Sequence, residues 1–472
     1  MRRPLALLLP LSFACGTTPT TPPTPVEFTY KPTGCTYEVT PSASLGLIEL
    51  AQDDAAAISD VGAAAPARVR LGLGAPAPAD PSTTATFTWE TTGAAKASKV
   101  RYGLKGSAPG EVRAGYSWTT PTPTSGFGTD EPPAHMHEVH VCGLQPGTTY
   151  AYQVGGGSGA GEVWSDAQEF TTAPASGTIT LGVSGDSRDD KSVFQLVQLR
   201  MRDAGALLQL FSGDFVLWGT QASLYDGWLD SAWRDPKDAT KFVTLGQQYF
   251  LPVPGNHENG AAQFYGNFAI PTSAGNAETV SSLNVGSAHV LMLDDQSISQ
   301  SPGSDQSKAQ LAFIEQDLAA ADGQRDAHPF ILVVSHRGMF STAKHGDEGD
   351  VKLVRDTLVP LFDKYHVDLA LNGHDHNYER TKAITGTAGT PTPGGTSYIV
   401  CAGAGATAYA PGTTVVPYRE KNVAFGGSTP YVGVYGLITL EAKKLSFNAY
   451  GLKASAGGVA GDDVVDTLVI TK

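Results

Sequence analysis

Thr178-Ile179-Thr180-Leu181-Gly182-Val183-Ser184-Gly185-Asp186-Ser187-Arg188 is an apolar, β-rich run that ends in a glycine and then in polar side chains. The same grammar returns four times downstream. Gly213-Asp214 follows Leu207 to Phe211, and Gly255-Asn256-His257-Glu258 follows Tyr249 to Val253. Ser335-His336 follows Phe330 to Val334, and Gly373-His374-Asp375-His376 follows Val367 to Leu371. Strands that each deliver a ligand-type residue at the carboxyl end are how an α/β sheet builds one crevice from distant parts of a chain. Between them, Val193 to Arg202, Leu224 to Trp233 and Gln306 to Ala320 carry apolar residues at helical spacing. Val351 to Tyr365 reads as a further helix, interrupted by Pro360.

The residue types say what gathers in the crevice. Oxygen and nitrogen donors from Asp, Asn and His, without thiolates, suit Fe, Zn or Mn. Six such ligands are too many for one tetrahedral ion with an open position. They are about right for two ions that share a carboxylate, an arrangement that clamps the attacking and leaving oxygens of a displacement at phosphorus.

This ordered set resembles the calcineurin-like metallophosphoesterases and, within them, the purple acid phosphatases. The resemblance runs from about Pro66 to the C-terminus. It implies an α/β (α+β) catalytic region made of two mixed β-sheets flanked by helices. It also implies one metal on Asp186, Asp214 and His376, and a second on Asp214, Asn256, His336 and His374, with Asp214 bridging. The nucleophile would be a water whose pKa the metals lower. His257 and His345 are candidates to face the phosphate or protonate the leaving group; His345 lies nine residues after His336, as a histidine does in those enzymes.

Two positions depart from the pattern. Arg188 stands where generic members carry a ligating histidine, and Leu217 where purple acid phosphatases carry a ligating tyrosine. The first metal position is therefore one protein ligand short, and the tyrosinate band that colours those enzymes should be absent. Arg188 stays protonated and cannot ligate. It reads either as a bidentate phosphate clamp or as an ion-pair partner of Asp189 or Asp190.

The chain has 472 residues, 41% of them apolar, enough for two or three domains. A net charge of −14 without a basic block argues against nucleic-acid binding. Met1-Arg2-Arg3 and the apolar run Pro4 to Ala14 are too short to span a bilayer and read as an export signal. Leu11 to Gly16 is either a degenerate lipoprotein box with Cys15 acylated, followed by a Thr/Pro tether from Thr17 to Pro25, or an ordinary cleaved signal. Cys401 sits in the apolar run Tyr398 to Cys401 and reads as a buried thiol, which leaves Cys35 and Cys142 as the plausible disulfide.

Residues 1–15 are thus assigned to export, 16–65 to a tether and N-terminal segment, 66–175 to a β-sandwich and 176–472 to the catalytic region. The sandwich rests on short alternating runs such as Thr84 to Glu90, His137 to Val141 and Thr149 to Val154. Leu144 to Tyr150 resembles the corner before a late strand of fibronectin type III domains, which implies that Tyr150 is anchored there. Trp89 is read as core rather than as a carbohydrate platform. The expectation is a secreted or lipid-anchored phosphomonoesterase acting on a phosphorylated small molecule. A phosphodiesterase or nucleotide-hydrolysing relative, and a non-catalytic surface module, are the other readings.

Overall fold

The computed structural model describes residues 29–39, 51–52, 65–91, 98–120, 134–156, 163–235, 238–258, 260–273, 278, 280–455 and 457–472. The export signal, Cys15 and the Thr/Pro tether lie outside them.

Two sheets carry the five strand ends. In the first, Ile179–Ser184, Leu208–Phe211 and Tyr249–Pro252 lie parallel and adjacent, with Leu181 opposite Leu208 and Leu208 opposite Tyr249. Antiparallel strands Gly433–Glu441, Lys444–Leu452 and Asp463–Thr471 extend it beyond Ile179–Ser184. The second sheet has seven strands, of which Ala288–Leu293, Phe330–Val334, Leu369–Asn372 and Ser397–Cys401 are parallel neighbours. Parallel strands release their carboxyl ends on one side, so the glycine-led clusters converge there.

The runs are continuously apolar because both faces of each sheet are covered. Phe330, Leu332 and Val334 point into the layer between the sheets, with Leu181, Val183, Leu210 and Leu251 from the other side. Ile331 and Val333, one residue out of phase, pack under helices Asp305–Asp322 and Gly349–Lys364 through Ile314, Leu318, Val354 and Leu358. Helices Lys191–Asp203 and Ala222–Trp233 cover the first sheet, where Phe194 stacks on Trp228 at 4.5 Å. Each such side chain stabilises the fold by about 1.5–3 kcal/mol. Pro360 does not interrupt its helix, which runs unbroken from Gly349 to Lys364. The proline lies on the exposed face, where water can take the carbonyl that it leaves without a donor.

Upstream, Ala67–Gly72, Thr84–Thr91, His135–Cys142 and Tyr116–Thr119 face a five-stranded sheet that contains Lys99–Leu104, Thr149–Gly156 and Gln168–Thr171. Phe87 meets Tyr152 at 4.5 Å between them, and Trp89 is fully buried. Tyr150 is anchored as the corner implied, its hydroxyl accepting the Gln145 N–H at 2.9 Å. Cys35 and Cys142 form a disulfide, and Cys401 is a buried free thiol. The sheets of the two regions are joined. Leu71 pairs with Tyr249, making one sheet of 11 strands, and Arg68 reaches across to Asp226 and Asp230.

Candidate metal centre

The five clusters come together at the carboxyl ends of the strands. Gly213 adopts a φ of +94°, and a Cβ there would lie 2.7 Å from the Gly255 nitrogen and 2.9 Å from His336 Nδ1. Only glycine lets these loops approach so closely. Asp186, Asp214 and His374 hold left-handed backbone with φ of 57°, 57° and 72°. For non-glycine residues this conformation costs free energy and persists where the surroundings enforce it, as at functional sites. The enforcer at Asp214 is Glu258, buried, whose carboxylate accepts N–H groups from Asp214, Phe215 and Gly255 at 2.9, 2.9 and 2.7 Å. Burial and the nearby Asp214 push Glu258 up to about 8.

His336 is oriented by donation from Nδ1 to the Ser212 carbonyl at 2.7 Å, since a carbonyl can only accept. Its Nε2 faces Asn256 Oδ1 at 3.0 Å, Asp214 Oδ1 at 3.3 Å and His374 Nδ1 at 3.2 Å. His376 repeats the device, with Nδ1 donating to the Thr407 carbonyl at 2.8 Å and Nε2 lying 3.6 Å from Asp186 Oδ1. Two clusters of ligand atoms result, Asp214–His336–His374 and Asp186–Asp214–His376, sharing Asp214.

Electrostatics agrees with the donor set. Burial, with Asp214 beside it, pushes the Asp186 carboxyl well up. Burial opposes ionisation of Asp214 too, but His336 and His257 hold it below the usual carboxylate range. Burial, then His336 and His345, keep His374 well below an ordinary histidine, and burial takes His376 down to about 4. The neutral rings of His374 and His376 and the crowded carboxylates of Asp186 and Asp214 bring several donor atoms to one place. Borderline-hard divalent or trivalent cations relieve that crowding, so the residues present fit two such ions.

The other three candidates line the same crevice. His257 donates from Nδ1 to the Leu217 carbonyl at 2.7 Å, which leaves Nε2 to accept from Arg188 Nη1. Both ring nitrogens of His257 are engaged within the protein. His345 lies over His374, with ring centroids 4.4 Å apart. Its backbone N–H donates to Asp375 at 2.9 Å, and of its ring nitrogens Nδ1 lies 2.8 Å from the Glu348 carboxylate, so Nε2 remains. The Arg188 guanidinium stands 3.9 Å from Asp214 and 3.6 Å from Asp189, with no hydrogen-bond partner for its buried Nε. Asp190 is spent as the N-cap of helix Lys191–Asp203, accepting from Ser192 and Val193.

The sequence reading missed a sixth contributor. Strand Ser397–Cys401 ends in Ala402-Gly403-Ala404-Gly405-Ala406-Thr407-Ala408-Tyr409, another apolar run that releases a glycine-rich turn. This turn laces the first motif to the fifth. Ala404 N–H donates to the Gly185 carbonyl at 3.0 Å, Ala406 N–H to the Asp186 carbonyl at 2.8 Å, and Thr407 N–H to Asp189 at 2.8 Å. Tyr409 then stacks on His376, with centroids 4.1 Å apart and planes at 15°. It contains no ligand-type cluster, which is why a search for His and Asp passes it over.

Two family models match the chain, the purple acid phosphatase N-terminal domain over residues 66–172 and the calcineurin-like phosphoesterase over 185–378. The chain is a purple acid phosphatase-like member of the calcineurin-like phosphoesterases. Acid phosphatase type 7 of Homo sapiens is 27% identical over 325 residues, covering 62% of this chain and 67% of that one. Uncharacterized proteins of Mycobacterium tuberculosis are 26% identical over 316 residues, covering 57% of this chain and 58% of theirs. The match thus spans little more than half the length of those relatives. Among solved structures, a purple acid phosphatase from yellow lupin seeds superposes with a TM-score of 0.69 at 19% identity, over 86% of this chain and 74% of that one. At that identity the likeness shows the fold.

Proposed function

We propose that this purple acid phosphatase-like chain is a binuclear metal-dependent phosphoric ester hydrolase, with phosphomonoesters of small molecules as its substrates. The observation that carries the proposal is the meeting of ligand-type atoms from Asp214, Asn256, His336 and His374 beside a second cluster that shares Asp214. In this reading Asp186, Asp214 and His376 would hold one ion and Asp214, Asn256, His336 and His374 the other, with Asp214 common to both sets. The ions would supply Lewis acidity at the phosphoryl group and lower the pKa of an attacking water. Arg188 holds the phosphoryl oxygens with the guanidinium donors that the protein leaves unspent. His257 fixes Arg188, and His345, in its imidazolium form with Nδ1–H donating to Glu348, gives the leaving oxygen its proton from Nε2 and is left as the neutral ring.

The chain is also proposed to work outside the cytoplasm, exported and either lipid-anchored at Cys15 or released. The Cys35–Cys142 disulfide supports an oxidising compartment. Residues 66–175 are proposed to form a fibronectin III-like sandwich and residues 176–472 the catalytic domain.

Purified protein should contain two equivalents of Fe, Zn or Mn and hydrolyse a phosphate monoester faster than a diester. Faster diester cleavage would make the chain a phosphodiesterase. Two bound metals without turnover on either would make it a surface module, an outcome with precedent in the name of a relative, probable inactive purple acid phosphatase 1 of Arabidopsis thaliana.

A further inference from the structure

Tyr409 is the residue around the crevice that neither motif nor ligand chemistry accounts for. It is fixed from several sides. Its N–H donates to the His376 carbonyl at 2.8 Å, and its ring lies flat against the His376 ring. Lys344 Nζ stands 4.4 Å above the ring centroid, and His345 approaches it at 5.4 Å. Its hydroxyl accepts from Arg188 Nη2 at 3.4 Å, while Nη1 of the same guanidinium is held by His257.

Arg188 therefore hangs between two partners, His257 and Tyr409. An arginine at a rim would otherwise sample many rotamers, and ordering it on substrate binding costs conformational entropy. Leu217, at the position where the resemblance implies a tyrosine, is 40% exposed. Tyr409 approaches the first metal position from a different strand, and its oxygen is turned to the guanidinium.

We infer that Tyr409 is a positioning residue that acts through Arg188 and His376. Its hydroxyl pre-sets the guanidinium to receive the phosphoryl group, and its ring holds His376 in the ligating orientation. The inference rests on the hydrolase reading above for the identity of the bound anion, inorganic phosphate or a phosphate ester. It concerns this chain's pairing of Arg188 with Tyr409.

The test uses the metal-loaded full chain and the variants Tyr409→Phe, Tyr409→Ala, Arg188→Ala and the double variant Arg188→Ala/Tyr409→Phe. Metal content, calorimetric affinity for inorganic phosphate, and KM and kcat on a monoester are read for each. Tyr409→Phe keeps the ring and removes one hydrogen bond to a charged group. It is expected to retain both metals, weaken phosphate binding and raise KM roughly three- to tenfold, and leave kcat within about twofold. In the Arg188→Ala background the same change should have no further effect, since the group it positions is gone. Tyr409→Ala should in addition lower the metal content from two equivalents towards one.

Additive losses in the double variant would overturn the inference. So would loss of metal in Tyr409→Phe, or a visible band in the iron-loaded protein that Tyr409→Phe abolishes, because either would put the hydroxyl on the metal. Phosphate affinity does not need turnover, so the two readings fail separately. A chain that binds metals and phosphate with coupled Arg188 and Tyr409 but cleaves no ester refutes the hydrolase reading alone. Hydrolysis with independent effects refutes the Tyr409 inference alone.

Discussion

Buried histidines occur in both halves of this molecule, and they are spent differently. In the upstream β-region His137 is fully buried against Trp89, with ring centroids 5.1 Å apart, and each nitrogen meets a hydroxyl at 3.0 Å, Thr91 on one side and Ser98 on the other. His140 divides its nitrogens between Glu138 at 2.8 Å and Tyr37 at 3.2 Å. In the crevice, His336 and His376 give one nitrogen to a backbone carbonyl and turn the other towards carboxylate and amide oxygens. Burial does not separate a core histidine from a ligand. The partner of the second nitrogen does, because hydroxyls and carboxylates that complete a hydrogen-bond set leave nothing for a cation, whereas a lone pair facing other lone pairs needs one.

The most severe way to break this comparison is Asp214→Ala, which removes the carboxylate common to both clusters. Turnover should fall by at least about a thousandfold, some 4 kcal/mol of transition-state stabilisation, with metal content reduced and the cooperative unfolding transition kept. An active variant, or an inactive one that still holds two metals, would refute the bridging assignment. The upstream region should respond in the opposite sense. Cys35→Ser with Cys142→Ser opens a link that spans 107 residues of sequence. It is expected to cost roughly 2–5 kcal/mol of unfolding free energy, measured in urea, while specific activity at 25 °C stays within about twofold. A large loss of activity without loss of stability would mean that the upstream region shapes the crevice directly.

Arg188→Ala probes the boundary between ligand and rim. With metals retained, kcat/KM should drop roughly ten- to a hundredfold, about 1.5–3 kcal/mol for a charge-assisted contact, and Arg188→Lys should restore part of it. Loss of a metal instead would show that the guanidinium holds the first metal position together.

The contrast also explains how much could be read in advance. The clusters that hold Asp186, Asp214, Asn256, His336, His374 and His376 were legible because each opens on a glycine or serine after an apolar run, and the fold needs those short residues where loops nearly touch. The two-sheet architecture was implied by the family resemblance that those clusters carry. Tyr409 was not legible, since stacking and a hydroxyl contact leave no spacing signal, and the turn that presents it contains only Gly, Ala and Thr before it. The seam between the regions was equally silent. Leu71 opposite Tyr249 joins strands that are far apart in sequence, and nothing in either run announces its partner. The helix through Pro360 shows the reverse error, a local breaker overruled by packing on the opposite face.

The mildest expected effect sharpens the comparison through pH. Burial, with His135 adding a small repulsion, takes His137 down to about 3, against 6.5 for an ordinary histidine. Its ring is therefore neutral in the folded chain and protonates on unfolding below about pH 6.5. A depressed histidine contributes stability that is present above its unfolded value and is lost as pH falls towards its folded value. Between pH 7.5 and 5.0 that loss amounts to about 2 kcal/mol, all of it in the upstream region. His137→Gln keeps polar atoms opposite Thr91 and Ser98 but does not titrate. Unfolding of metal-stripped protein in urea should show the variant losing about 2 kcal/mol less than the wild type over that interval, whatever its stability at pH 7.5. The crevice histidines titrate alike in both proteins and cancel in the difference. Equal pH dependence would mean that His137 accepts a proton inside the fold, through an opening of its Trp89 and Thr91 contacts, and the distinction drawn between satisfied and ligating histidines would then fail at its upstream end.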